Sequence, residues 1–241
     1  MLGTPNDTRS GPGRRIRARL LLGAATVGLT AFVVTFLVEG ALRPGYRPWR
    51  HAISQLSLGP FGWVNIIGVL VAGASLIAFA AGLRSALPSG VGSIWGPRLL
   101  AVAGTGLLLT AAVRDDPGLG YPPGIPAQQS LHGLLHGLLV TVAVGCLGAA
   151  CLVMARRFAG DPAWSGWVRY STVTGVVVAA TYVATAVVTG LDQVGVLPNA
   201  PGGLLQRIMI ITGLGWCVAV AGRLLVDAQP RRAQVGIRSH A

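Results

Sequence analysis

An all-α membrane bundle of six helices is the fold this sequence predicts, and three observations predict it. Six long runs are free of charge or nearly so. Hydrophobic residues make up 52% of the 241-residue chain and charged residues only 11%, where a soluble domain carries about a quarter. The basic residues cluster on one side of the resulting topology. The mean hydropathy of +0.64 agrees. In lipid every backbone amide needs an internal partner, so these runs read as helices and not as an open sheet.

The first element, about 20–40, follows a polar, Gly/Pro-containing segment 1–19 that ends in Arg14, Arg15, Arg17 and Arg19. That segment reads as a flexible basic cytoplasmic tail. Leu20 to Val38 is long for a secretory h-region and lacks a small-residue cleavage site, so it reads as an uncleaved first span. The second span, about 62–83, has no charge. The third, about 95–113, carries Pro97 and Arg98 near its start. The fourth, about 130–155, holds two histidines. The fifth covers about 168–191. The sixth, about 204–226, reaches spanning length if Arg207 and Arg223 snorkel to the interfaces. Residues 20–227 thus form the membrane domain, and 228–241 a second flexible tail.

Arginine supplies all 19 basic residues, giving a net charge of +12. With both termini inside, 14 of them fall on inner segments and 5 on outer ones. This is a positive-inside pattern, and it places the chain in the plasma membrane as a multi-pass protein. The arginines are scattered between apolar runs, which argues against nucleic acid as partner; membrane lipid is the expected environment. Cys146, Cys151 and Cys217 lie in apolar runs without metal-ligand spacing. Small residues, including Gly133-x-x-x-Gly137, permit close helix packing and also fit a homo-oligomer. Thr174, Thr181, Thr185 and Thr189 recur at helical spacing, suited to bonding their own backbone or a neighbouring helix.

The varied chemistry falls at the outer face: His51, Ser54, Asp115, Asp116, His132, His136 and Arg207 form the candidate site. In "LHGLLHGLL" (131–139) the two histidines lie about 40° apart and about 6 Å along the axis. Ionisable groups in spans usually face the bundle interior. Three readings stay open. The imidazoles pin the outer loops by hydrogen bonds, or they titrate at a headgroup or proton-linked site. Or His132 and His136 hold zinc, with Asp116, Asp115 or His51 as a third ligand. Arg207 reads as a snorkelling cation or as a partner for an Asp or a lipid phosphate.

Three stretches carry a resemblance: "RPGYRPWRHAISQLSLGPFGWVNIIG" (43–68), "RDDPG" (114–118) with the histidine helix, and "GGLLQRIMIITGLGW" (202–216). Over roughly 40–225 the chain resembles the DUF-998 family of polytopic membrane proteins. The resemblance implies six spans and an outer-face cluster, and no activity. It marks Gly45, Tyr46, Ile53, Ser54, Leu56, Asp116, Pro117, His132, His136 and Arg207. A looser analogy, in residue types alone, links Ser54, His51, the Asp pair and the HxxxH to seven-helix zinc hydrolases of the alkaline ceramidase and adiponectin receptor type. Two functions therefore stand: a binder of a lipid headgroup, small solute or partner, and a zinc-dependent lipid hydrolase.

The topology is testable. Reporter fusions at the two termini are expected to read out on the same, cytoplasmic, side; opposite sides would contradict six spans.

Overall fold

The computed structural model describes residues 12–227. Among these are six α-helices: α1 (Pro12–Leu42), α2 (Gly62–Ala86), α3 (Trp95–Ala112), α4 (Leu131–Ala159), α5 (Ser165–Gln193) and α6 (Gly202–Asp227). Two short 3-10 turns, Ile53–Ser57 and Pro162–Trp164, interrupt the connections. No strand occurs among the described residues; one isolated bridge joins Gly118 and Tyr121.

The charge-free runs coincide with helices, with one correction at the start. Helix α1 begins at Pro12, so residues 12–19 form its first two turns instead of belonging to a tail. Proline suits a first helical turn because its missing N–H would have no partner there. At 31 residues α1 is about 46 Å long, so its arginine-bearing turns extend beyond a hydrocarbon layer of about 30 Å. The tails expected at 1–11 and 228–241 lie outside the described residues.

Five of the helices are long and apolar enough to cross a membrane. The exception, α3, has 18 residues and spends its first turn on Trp95, Pro97 and Arg98. Each helix packs on the next in sequence, and α1 closes against α6, so the six form a ring. Large side chains fill its interior: Phe79 meets Trp216 edge-on at 6.2 Å, and the Trp216 indole donates to Ser171 Oγ at 2.9 Å. Glycines bring α2 and α3 into backbone contact. A Cβ on Gly73 would stand 2.7 Å from the carbonyl oxygen of Gly104.

The outside of the ring is apolar as well. Val27 and Val34 on α1, Leu134 and Leu138 on α4, and Val173, Val176, Val183 and Val187 on α5 are all exposed. Water would penalise such a surface, whereas lipid does not. The polar residues gather instead at the end of the bundle where α1, α3 and α5 finish and α2, α4 and α6 begin.

Candidate functional site

The α1–α2 connection, residues 43–61, forms the middle of this polar end. Its conformation is held from α6. Arg207, only 6% exposed, turns inward and not out to an interface. Its Nη1 lies 2.7 Å from the carbonyl oxygen of Pro48, 2.9 Å from that of Gly203 and 3.1 Å from that of His51. Its Nη2 donates to the Tyr46 hydroxyl at 2.7 Å, and the guanidinium stands 5.5 Å from the Tyr46 ring centre. No carboxylate among the described residues bonds it. Three carbonyl dipoles and a hydroxyl answer its two terminal nitrogens in the place a lipid phosphate would take. The expectation of an interfacial or phosphate-binding Arg207 is replaced by a loop anchor.

The first turn of α6 docks on the same loop. Gly203 N–H donates to Arg50 O at 3.1 Å, and Leu204 N–H to Trp49 O at 2.9 Å. These amides have no partner within the helix, so the loop caps it. Position 203 must be glycine: a Cβ there would lie 2.5 Å from Pro48 O and strike His51 O. Beside Arg207, Gln206 Oε1 accepts from Ile53 N–H at 2.6 Å.

Outward from this anchor the loop reaches two other connections. Arg50 grips Asp192 at the end of α5 with bonds of 2.6 and 2.8 Å, and Asp192 also accepts from Asn199 N–H. Toward the α3–α4 connection, Gln55 Nε2 donates to Gly118 O at 2.9 Å and Ser54 Oγ donates to Asp115 at 2.6 Å. His51 accepts from Arg47 N–H at Nδ1 (2.9 Å) and donates from Nε2 to Leu119 O (3.2 Å), which fixes a neutral tautomer. It stacks among the rings of Tyr46 and Tyr121, each 5.4 Å away. Burial, and then the charges of Arg50 and Arg47, hold the imidazole below its ordinary value despite the Leu119 bond. Burial pushes the Tyr46 hydroxyl up, against the pull of Arg207, so it stays a donor to Ala52 O at 2.9 Å.

The two aspartates have separate tasks. Asp115 joins Ser54 and also accepts its neighbour's amide. Asp116 accepts from both the amide and the hydroxyl of Ser130, each at 2.6 Å. Ser130 in turn caps α4 by accepting from Gly133 N–H at 3.1 Å. A carboxylate and a hydroxyl oxygen thus answer the start of α4. Gly133 leaves room for that carboxylate, which accounts for half of the Gly-x-x-x-Gly pattern.

The histidine pair divides. His132 is exposed, while His136 is buried. His136 Nδ1 donates to Val113 O at 2.6 Å and so ties α4 to the end of α3. Its Nε2 is buried and has no partner. The zinc grouping of His132, His136 and Asp116 is not brought together: among the described residues no three His, Cys, Asp or Glu side chains converge as a ligand set. Gln55, Asn65, Asp192 and Gln206 belong to this polar end without having stood out as site residues. Two signals mark them: Asn65 is a lone amide in an apolar run, and Gln206 directly precedes Arg207.

Two spaces result. A cleft of about 950 Å³ opens between the 115–130 connection and the end of α5, lined by Arg50, Asp115, Asp116, Gln128, Asp192 and Gln193 among others. Deeper in the ring lies a cavity of about 80 Å³ with mostly apolar walls from α1, α2, α3, α4 and α6. Ser54 lines the cavity and Asp115 the cleft, so their 2.6 Å hydrogen bond stands in the partition.

The His51 environment has a pH signature. The unfolded chain takes up a proton near the ordinary value of 6.5, whereas the folded imidazole resists it. The unfolded state then binds more protons, so stability falls as pH drops through that value. Melting in detergent is expected at lower temperature at pH 5 than at pH 7, with a shallower dependence in His51→Gln; an unchanged slope in the variant would contradict this.

Comparison with known proteins gives the family of the chain and no activity. The family model described as "Protein of unknown function (DUF998)" matches residues 9–223. No curated protein matches the chain, and no solved structure does. The match covers all six helices nearly to their ends, and the chain belongs to the DUF998 family of proteins of unknown function.

Proposed function

We propose that this is a six-span plasma-membrane protein with both termini in the cytoplasm, and that it binds a small polar group in the outer cleft without catalysing its conversion. The cleft carries this reading. Its volume of about 950 Å³ lies within the range of small-molecule sites. Its lining charge narrows the ligand, because one arginine, Arg50, faces three carboxylates, Asp115, Asp116 and Asp192. Arg50 is itself paired with Asp192. Carboxylates thus outnumber arginine in the lining, and Gln128, Gln129 and Gln193 add neutral donors and acceptors. Such a site favours a neutral or cationic group, such as a polyol, an amine or the ammonium end of a lipid headgroup, over phosphate. Counting α3 as a span rests on its place in the ring between α2 and α4 and on the arginine distribution.

The binding reading is preferred to the zinc hydrolase. Both ring nitrogens of His51 and both carboxylate oxygens of Asp116 are engaged in hydrogen bonds. A metal on Asp116 would compete with the cap of α4, and His132 faces outward. The small-residue faces leave a homo-oligomer open as a partner.

The test is a thermal-shift panel on the purified full-length protein, with choline, ethanolamine, glycerol, phosphate and sulfate as probes. Ammonium or hydroxyl compounds are expected to raise the melting temperature, and the anions are not. Gln193→Arg is expected to weaken binding of the ammonium probe about tenfold, roughly 1.4 kcal/mol. Stabilisation by phosphate in preference to the ammonium compounds would overturn the assignment.

A further inference from the structure

The inner cavity is distinct from the cleft and is lined by His136 and Asn65, each with a buried polar atom that nothing among the described residues answers. His136, 8% exposed, lines it, and its Nε2 has no hydrogen-bond partner. Because Nδ1 donates to Val113 O, Nε2 carries a lone pair and accepts. The cost of burying an unpaired acceptor is about 1–3 kcal/mol, so the atom implies a donor. The hydroxyls of the wall do not supply one. Ser54 donates to Asp115, Ser57 to Ser54 O, and Thr110 to Leu107 O. The Asn65 amide nitrogen, a donor and not an acceptor, is likewise without a hydrogen-bond partner. Arg114, at the mouth of the space, is exposed.

The space itself says what kind of donor fits. Phe32, Val69, Leu107, Val144 and Met209 supply hydrocarbon walls. A buried water typically makes about three hydrogen bonds, and this largely hydrocarbon wall leaves two polar atoms unanswered, the acceptor His136 Nε2 and the donor Asn65 Nδ2. At about 80 Å³ the cavity is narrow, which suits a slim chain. We propose that the cavity binds a hydroxyl-bearing aliphatic chain, with the O–H donating to His136 Nε2 and the first methylenes lying against the apolar wall. A neutral hydroxyl fits because it donates without bringing a charge into the bundle. The chain comes from a free long-chain alcohol or from a neutral acylglycerol; the chemistry at His136 is the same.

The experiment uses the full-length protein in lipid nanodiscs and a decanol carrying a mid-chain photoreactive diazirine, with the labelled residues located by mass spectrometry. Label is expected on cavity residues such as Val140, Val144 and Met209. Unlabelled 1-decanol is expected to compete at least tenfold better than methyl decyl ether, which has the same chain but no proton to donate. Val140→Phe, which fills the space one turn from His136, is expected to abolish cavity labelling while leaving the protein folded. His136→Phe is expected to abolish the preference for alcohol over ether. Monodecanoylglycerol competing as well as decanol assigns the lipid source, and decanol competing alone assigns a free alcohol. Equal competition by alcohol and ether, or label confined to the lipid-facing residues of α5, would overturn the proposal. The ligand-side comparison keeps it falsifiable if His136→Phe fails to fold.

Discussion

Everything at the polar end of this protein depends on one buried cation. Arg207 enters from the first turns of α6 and finds no carboxylate among the described residues, only the carbonyl oxygens of Pro48, His51 and Gly203 and the hydroxyl of Tyr46. A charge in that position is costly to bury, and it is tolerable because its hydrogens are answered by dipoles that converge on it. The consequence runs both ways. The loop fixes the arginine, and the arginine fixes the loop in a path that turns His51, Ser54 and Gln55 toward the α3–α4 connection and Arg50 toward α5. The three connections at this end, α1–α2, α3–α4 and α5–α6, are thereby held as one body.

Much of the architecture is legible in the sequence because lipid leaves little choice. A charge-free run of about twenty residues must be helical there, and each such run is a helix. The start of α1 is the instructive miss. Charge marks Arg14 to Arg19 as a tail, yet a helix continues past the hydrocarbon layer at little cost when long arginine side chains reach water from it. At the polar end, residue types could be read but pairings could not. Periodicity puts His132 and His136 on one face, and the 40° between them is enough for one ring to be exposed and the other buried. The fate of Arg207 was equally hidden, because its partners are backbone carbonyls some 160 residues away and carbonyls have no sequence signature.

The same economy explains the two spaces. Most polar atoms at this end are consumed in holding the connections together, including both oxygens of Asp116 and both nitrogens of His51. What is left over is therefore informative. In the cleft it is the charge of three carboxylates lined up with one arginine; on the wall of the inner cavity it is the His136 and Asn65 nitrogens. The short bond from Ser54 to Asp115 lies between them. Both spaces sit on frames set by the Arg207 loop, since Ser54 belongs to it and Arg50 leaves from it.

Hydrogen exchange followed by mass spectrometry, wild type beside Arg207→Gln in the same nanodiscs, tests that dependence most directly. Amides in bonds such as Arg47–His51, Gly118–Tyr121 and Gly203–Arg50 are expected to lose protection together in the variant, across segments 46–58, 118–121 and 200–204, while the interiors of α2 and α5 keep theirs. Loss confined to the first turn of α6, with 46–58 and 118–121 as protected as in the wild type, would show that the connections hold themselves and would contradict the account.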